Sequence, residues 1–151
     1  MCDDYRHNKN IVITRPKVSS YPQTALAVVE HAFKTYPDRP AFTCLGCSVT
    51  YRQIDEQSGA FAAYLVNELG MKPGDRIALQ MPNIAQFPIA LYGAVRAGLV
   101  IVNVNPLYTK RELKHQLNDS DAKVIVVLSN VAEALAGVIS ETSVEQVIVT
   151  D

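Results

Sequence analysis

The stretch from Ile84 to Val104, IAQFPIALYGAVRAGLVIVNV, most constrains what this chain can fold into, because it is long, mostly apolar and interrupted near its middle by Arg96. A bilayer span needs about 20 predominantly apolar residues, and a central arginine costs about 2.5 to 3.5 kcal/mol on insertion scales. Gln86, Pro88, Gly98 and Asn103 weaken the case for a span further. A helix that closes at Gly98, followed by a β-branched buried strand over Leu99 to Val104, accounts for every residue except Pro88. Pro88 is expected to kink that helix or to reset its first turn, since it lacks an N–H and its ring crowds the preceding turn.

The same alternation extends on both sides. Thr24 is placed to cap a helix to about Tyr36, with Leu26, Val29 and Phe33 at helical spacing and Pro37 and Pro40 to end it. Ala41 to Cys44 and Ser48 to Thr50 read as a strand pair joined by Leu45-Gly46-Cys47. Thr50 with Gln53 forms a capping box for a helix carrying Ile54, Phe61, Ala62, Leu65 and Leu69, which Gly70 stops in the left-handed region. Lys72-Pro73-Gly74-Asp75 has the residues of a type II turn and leads into a strand, Arg76 to Gln80. Asn83 is the expected cap of the next helix, and Thr109 with Glu112 makes a capping box for a helix over 110 to 118. Lys123 to Leu128 is the next strand, then a helix over about 131 to 139, then a strand over Gln146 to Thr150. Strands alternating with helices through short crossovers predict α/β architecture: a mostly parallel sheet with flanking helices, plus the β-hairpin.

Charge and chemistry exclude several functions. Fourteen Lys and Arg face 15 Asp and Glu, a net charge of -1, which leaves no basic footprint for nucleic acid. Gly93 and Gly98 have P-loop spacing, but Leu99-Val100 follows where Lys and Ser or Thr belong, and the second glycine closes a helix where a P-loop opens one. Cys44-Leu-Gly-Cys47 has redox spacing. Such motifs sit at a helix N-terminus, where the dipole favours the thiolate, whereas this one crosses a hairpin and reads as two small residues in a turn. His7, His31 and His115 fall singly, without the partners a zinc site needs. Asp3 with Asp4, Asp55 with Glu56 and Asp119 with Asp121 read as solvated pairs. Three cysteines fit a reducing compartment, and MCDDYRHNKNIVITRPK has no continuous apolar core of a signal peptide, so the chain is read as cytoplasmic.

Several of these segments carry a resemblance: Val49-Thr-Tyr-Arg-Gln-Ile-Asp, Ser58-Gly-Ala-Phe-Ala-Ala-Tyr-Leu, Lys72-Pro-Gly-Asp-Arg-Ile-Ala-Leu-Gln-Met-Pro-Asn, Arg96-Ala-Gly, and Asn103-Val-Asn-Pro-Leu-Tyr-Thr through Arg111-Glu-Leu-Lys-His-Gln-Leu-Asn-Asp-Ser. Together they resemble the start of a long-chain fatty acid CoA ligase of the adenylate-forming, AMP-binding superfamily, over about Tyr21 to Asp151. Asp121 stands where such ligases commonly carry Gly, a departure that a left-handed helix stop tolerates.

Residues 1-23 read as a polar, proline-marked N-terminal arm outside the resemblance, which makes residues 24-151 an incomplete N-terminal portion of the AMP-binding large domain. The resemblance implies that the complete enzyme joins a fatty acid to CoA with ATP and Mg, releasing AMP and pyrophosphate. The phosphate loop and the catalytic motifs of that family lie further along than this sequence reaches. It therefore places no catalytic, cofactor-binding or metal-ligating residue here, and the chain alone is expected to be inactive and to hold no cofactor. The alternative reading is a free-standing, non-catalytic binding or interaction module derived from the same family. The arm is a candidate clasp for a homodimer, and the complete enzyme is expected in the cytoplasm with peripheral contact at the membrane.

Overall fold

A computed structural model describes residues 24–151 of the 151-residue chain; the proposed arm lies outside the described residues. Helix α1 spans Ala25–Thr35 and begins where Thr24 Oγ1 accepts a hydrogen bond from the Ala27 N–H at 3.1 Å. Strands β1 (Pro40–Cys44) and β2 (Cys47–Thr50) form an antiparallel hairpin. The connection is two residues long, one fewer than the sequence reading: Leu45 and Gly46 take φ of +50° and +82°, and Cys47 belongs to β2 opposite Cys44. Positive φ at both turn positions matches the twist of the strands they join.

Helix α2 (Tyr51–Asn67) opens with the expected capping box, in which Gln53 Oε1 accepts from the Thr50 N–H at 2.8 Å. Gly70, at φ +65°, turns the chain so that the Met71 N–H reaches the Leu65 carbonyl at 3.0 Å, closing the helix with a Schellman-type bond. The turn through Pro73 and Gly74 then starts β3 (Arg76–Gln80), as its composition predicts.

Helix α3 (Gln86–Arg96) starts later than expected. Asn83 does not cap it; Ala85 occupies the cap position without a side-chain bond. Pro88 is responsible, because at the third helical position its missing N–H has no intrahelical partner to lose, and the helix begins where the proline is tolerated. After Gly98, at φ +74°, comes β4 (Val100–Asn103). Its flanks Leu99 and Val104 are buried, but Val100 is 49 % exposed, so the strand is an edge and not the interior strand that its β-branched residues predict.

Helix α4 (Lys110–Ser120) has the expected capping box and runs two residues past the predicted 118. Asp121 follows in the left-handed region, φ +50° and ψ +40°. Strand β5 (Val124–Leu128) leads to a 3₁₀ turn at Ser129–Val131, a short α5 (Ala132–Ala136), a second 3₁₀ turn at Ile139–Glu141, and β6 (Gln146–Thr150). The single helix predicted over 131 to 139 is thus broken. Gly137 weakens helix there, and Lys110 Cε lies where a Cβ at Gly137 would stand 2.8 Å away, so the backbone turns beneath that side chain.

The sheet is parallel throughout, in the order β4-β3-β5-β6. Its handedness places the helices. The step from β3 to β4 runs outward one way, and the steps to β5 and β6 run the other way, so right-handed crossovers put α3 on one face and α4 with α5 on the other. The core follows suit. Ile77, Leu79, Val124 and Val126 pack with Leu65, Ala90 and Ala94, while Ala78, Ile125 and Val127 pack with Leu113, Leu117 and Leu135. The hairpin stands apart as a second sheet beside α2.

Helices α2 and α3 meet closely because Gly93 has no side chain: a Cβ there would lie 2.7 Å from Phe61 Cδ1 and 3.0 Å from the Ser58 carbonyl oxygen. Arg96 locks the same joint. Its Nη1 donates to the Asp55 carbonyl at 2.7 Å and to Ser58 Oγ at 2.9 Å, its Nη2 pairs with the Asp55 carboxylate, and its guanidinium lies 5.2 Å from the Phe33 ring centroid. Replacing Arg96 with Ala removes one hydrogen bond from the buried Ser58 and those to the Asp55 carbonyl and carboxylate, and is expected to destabilise the chain by about 2 kcal/mol. Urea unfolding of Arg96→Ala beside wild type measures this, and an unchanged midpoint would count against the lock. Strand β6 also leaves one edge of the sheet unpaired, with Val147 and Val149 exposed. Sedimentation velocity is expected to show self-association rising with concentration; a clean monomer throughout contradicts an adhesive edge.

Candidate functional site

In parallel α/β sheets, ligands lie outside the carboxyl ends of the strands where the order reverses, here between β3 and β5. Gln80 ends β3 at this crevice. Its side chain is fully buried, and neither carboxamide atom finds a hydrogen-bond partner among the described residues. Nearby, the loop after β4 is held by Asn105 Oδ1, which accepts from the Leu107 N–H at 2.9 Å. This loop delivers the chain to α4, whose start offers no cradle for phosphate. Glu112 Oε2 accepts from the Thr109 N–H at 2.9 Å and from the Thr109 hydroxyl at 2.7 Å, while Thr109 Oγ1 accepts from the Glu112 N–H. Those bonds, the hydroxyl's first and then the backbone's, hold the Glu112 carboxyl below its usual range. The helix N-terminus therefore already carries its own anion.

Two apolar cavities flank the start of α3. One, about 210 Å³, is lined by Phe61, Gln86, Ile89, Ala90, Val126 and Ile148 and opens beside β6. Gln86 bridges its rim by donating from Nε2 to the Asp151 carbonyl at 2.5 Å. The other, about 320 Å³, lies between the hairpin and the segment before α3, with Phe42, Cys44, Ile84, Phe87 and Pro88 in its wall. Both can seat apolar groups. Their walls hold no nucleophile with an adjacent base.

The residues weighed from sequence fall as follows. Asp55 pairs with Arg96. Asp121 pairs with Arg76 and Lys123, and Lys123 also reaches Glu145 at 3.5 Å. The hydrogen bond from Lys123 is the main reason the Asp121 carboxyl sits below its ordinary value, and the same bond raises the Lys123 ammonium. His31 lies in α1 beside Thr35, and His115 is exposed on α4. His7, Asp3 and Asp4 lie outside the described residues. Among the described residues, no group of three His, Cys, Asp or Glu side chains converges to hold a metal ion, and no helix is long and apolar enough to cross a membrane. The starts of α2 and α4 are occupied by their own capping side chains. No local sequence signal marks Tyr92, which packs edge-on to Phe33 at 5.9 Å; burial, then Tyr51, pushes its hydroxyl pKa up.

Residues 29–151 match the family model of the AMP-binding enzyme. The chain belongs to this family. The long-chain-fatty-acid–CoA ligase of Salmonella typhimurium is 54% identical over 128 residues, which is 85% of this chain and 23% of that protein. The chain thus spans about a quarter of the length of the curated relatives it matches. A family structure, the long-chain-fatty-acid-CoA ligase from Archaeoglobus fulgidus, superposes with a TM-score of 0.76 at 28% identity, covering 86% of this chain and 28% of that one. The anthranilate CoA ligase AuaEII, solved with anthranoyl-AMP, has a TM-score of 0.81 at 21% identity, covering 89% and 27%, and shows the shared fold.

Burying a polar group without a partner costs about 1 to 3 kcal/mol. Gln80→Met, similar in volume and apolar, is therefore expected to stabilise the chain by about 1 kcal/mol or more, read as a higher urea midpoint. Loss of stability in that variant would show that the carboxamide has a partner in solution.

Proposed function

We propose that this chain is the N-terminal portion of the large domain of a long-chain fatty acid–CoA ligase. The observation that carries the reading is identity of 54% sustained over 128 residues to such a ligase, beside a TM-score of 0.76 to a long-chain-fatty-acid-CoA ligase structure. In the complete enzyme the fatty acid carboxylate, a poor electrophile, takes AMP from Mg·ATP with release of pyrophosphate, and the CoA thiol then displaces AMP. Charge moving onto phosphate oxygens in those steps calls for converging cations and backbone donors. In this reading those groups belong to the rest of the complete enzyme, and the part of the described residues is to build and brace the sheet.

Several expectations go with this reading. The chain by itself holds no cofactor and turns nothing over. Fatty acid, ATP and CoA are the partners of the complete enzyme, which works in the cytoplasm and meets the membrane only at its surface. Residues 1–20 contribute a clasp between two subunits.

A chimera tests the proposal. Exchanging the matching segment of the Salmonella typhimurium ligase for residues 24–151 of this chain is expected to preserve ATP-dependent formation of long-chain acyl-CoA, within about tenfold of the parent. A folded chimera without that activity overturns the assignment. Pyrophosphate release by the isolated chain would overturn its scaffold role.

A further inference from the structure

The β1–β2 hairpin carries two thiols that the ligase reading leaves unused. Directly opposed residues of an antiparallel pair project on the same face, and here the register pairs Phe42 with Val49, Thr43 with Ser48 and Cys44 with Cys47. On one face the opposed side chains touch, since the Thr43 and Ser48 hydroxyls lie 2.7 Å apart. On the other face the same register sets Cys44 beside Cys47. Residues that close a two-residue turn form a hydrogen-bonded pair with Cα atoms about 5.5 Å apart, inside the range of about 4.4 to 6.8 Å found across disulfides.

Access differs between the two thiols, and the difference orders the chemistry. Both are free; Cys47 is exposed, while Cys44 is half-buried in the wall of the cavity with Phe42, Ile84 and Phe87. A two-residue turn with both φ positive holds the strands in register, so the second thiol is already in place when the first has reacted. No third ligand joins them among the described residues, which sets this pair apart from a zinc site.

We propose that Cys44 and Cys47 are a site of reversible oxidative modification, closing to a cross-strand disulfide by exchange with a small disulfide such as oxidised glutathione. The Cys47 thiolate attacks one sulfur of the oxidant, breaking its S–S bond and releasing one glutathione thiolate. The Cys44 thiolate then attacks the Cys47 sulfur of the mixed disulfide, and the second glutathione leaves. The two protons given up by the protein thiols end on the two released glutathiones. Two electrons pass from the cysteine pair to the oxidant. This site is independent of the ligase reading.

The test uses the full 151-residue chain with Cys2→Ser, so that only the hairpin thiols remain. After equilibration with oxidised and reduced glutathione and acid quenching, peptide mass mapping is expected to find Cys44 joined to Cys47. Persistent glutathione adduct is expected to be at least about tenfold lower than in the same chain carrying Cys44→Ser, where Cys47 has no resolving partner. The companion Cys47→Ser variant is expected to acquire its adduct more slowly, because Cys44 is half-buried. Adduct on the paired chain equal to that on Cys44→Ser, disulfides only between chains, or thiols left unmodified would each overturn the proposal.

Discussion

The arrangement of the first half of this molecule depends on one cation held between helices. Arg96 ends α3, and its guanidinium satisfies the Asp55 carbonyl, the buried Ser58 hydroxyl and the Asp55 carboxylate while its face covers Phe33. Three helices are tied at one point, α1 through the ring, α2 through the polar groups and α3 through the side chain itself. A charge in such a place is costly unless fully partnered, so its bonds specify one angle and one register for the α2–α3 pair. Gly93 makes that approach possible, since any side chain there would collide with Phe61.

With α2 fixed on α3, one face of the parallel sheet is covered, and α4 and α5 cover the other. The two outer strands differ in consequence. Both expose valine, Val100 in β4 and Val147 with Val149 in β6, but β4 is flanked by buried Leu99 and Val104, while β6 borders an apolar cavity. Apolar surface at an unpaired strand is where further chain is accommodated at least cost, since pairing satisfies backbone groups and burial removes apolar area together. That asymmetry fits a segment whose relatives are about four times its length. The capped starts of α2 and α4 fit it too, because helix ends that satisfy themselves stiffen a scaffold and leave no donors for a phosphate.

Much of this was legible in the chain because the signals are local. Thr24, the two capping boxes, Gly70, Gly98 and the Pro73-Gly74 turn act on backbone within a few residues of themselves, and each stands where its chemistry predicts. The readings that failed were those in which a distant group decides. One exception is local: Asn83 lost its capping role to Pro88, which reset the first turn of α3. The helix over 131 to 139 broke at Gly137 beneath Lys110, a neighbour from another element. Composition could not separate an edge strand from a central one at β4. Of the candidate sites, the cavities beside α3 left no trace in sequence order, since their walls come from the hairpin, α2, α3 and β6 at once; Gln80 looks like any polar strand end until both faces of the sheet are closed.

By itself, then, the sequence determined the alternation of strand and helix, the caps and stops, the kinship with CoA ligases, and the absence of a membrane-spanning pattern around Arg96. The alternation, the caps and the missing span follow from periodicity and short-range hydrogen bonding, while the kinship rests on the resemblance of the quoted segments. Only the tertiary structure decided which strands are edges, that Arg96 is an internal tie, that Cys44 and Cys47 face each other across a two-residue turn, and that Gln80 is sealed from water. Those outcomes depend on strand order and on contacts between residues far apart in the chain, where the free energy belongs to the pair and neither partner's local sequence carries it.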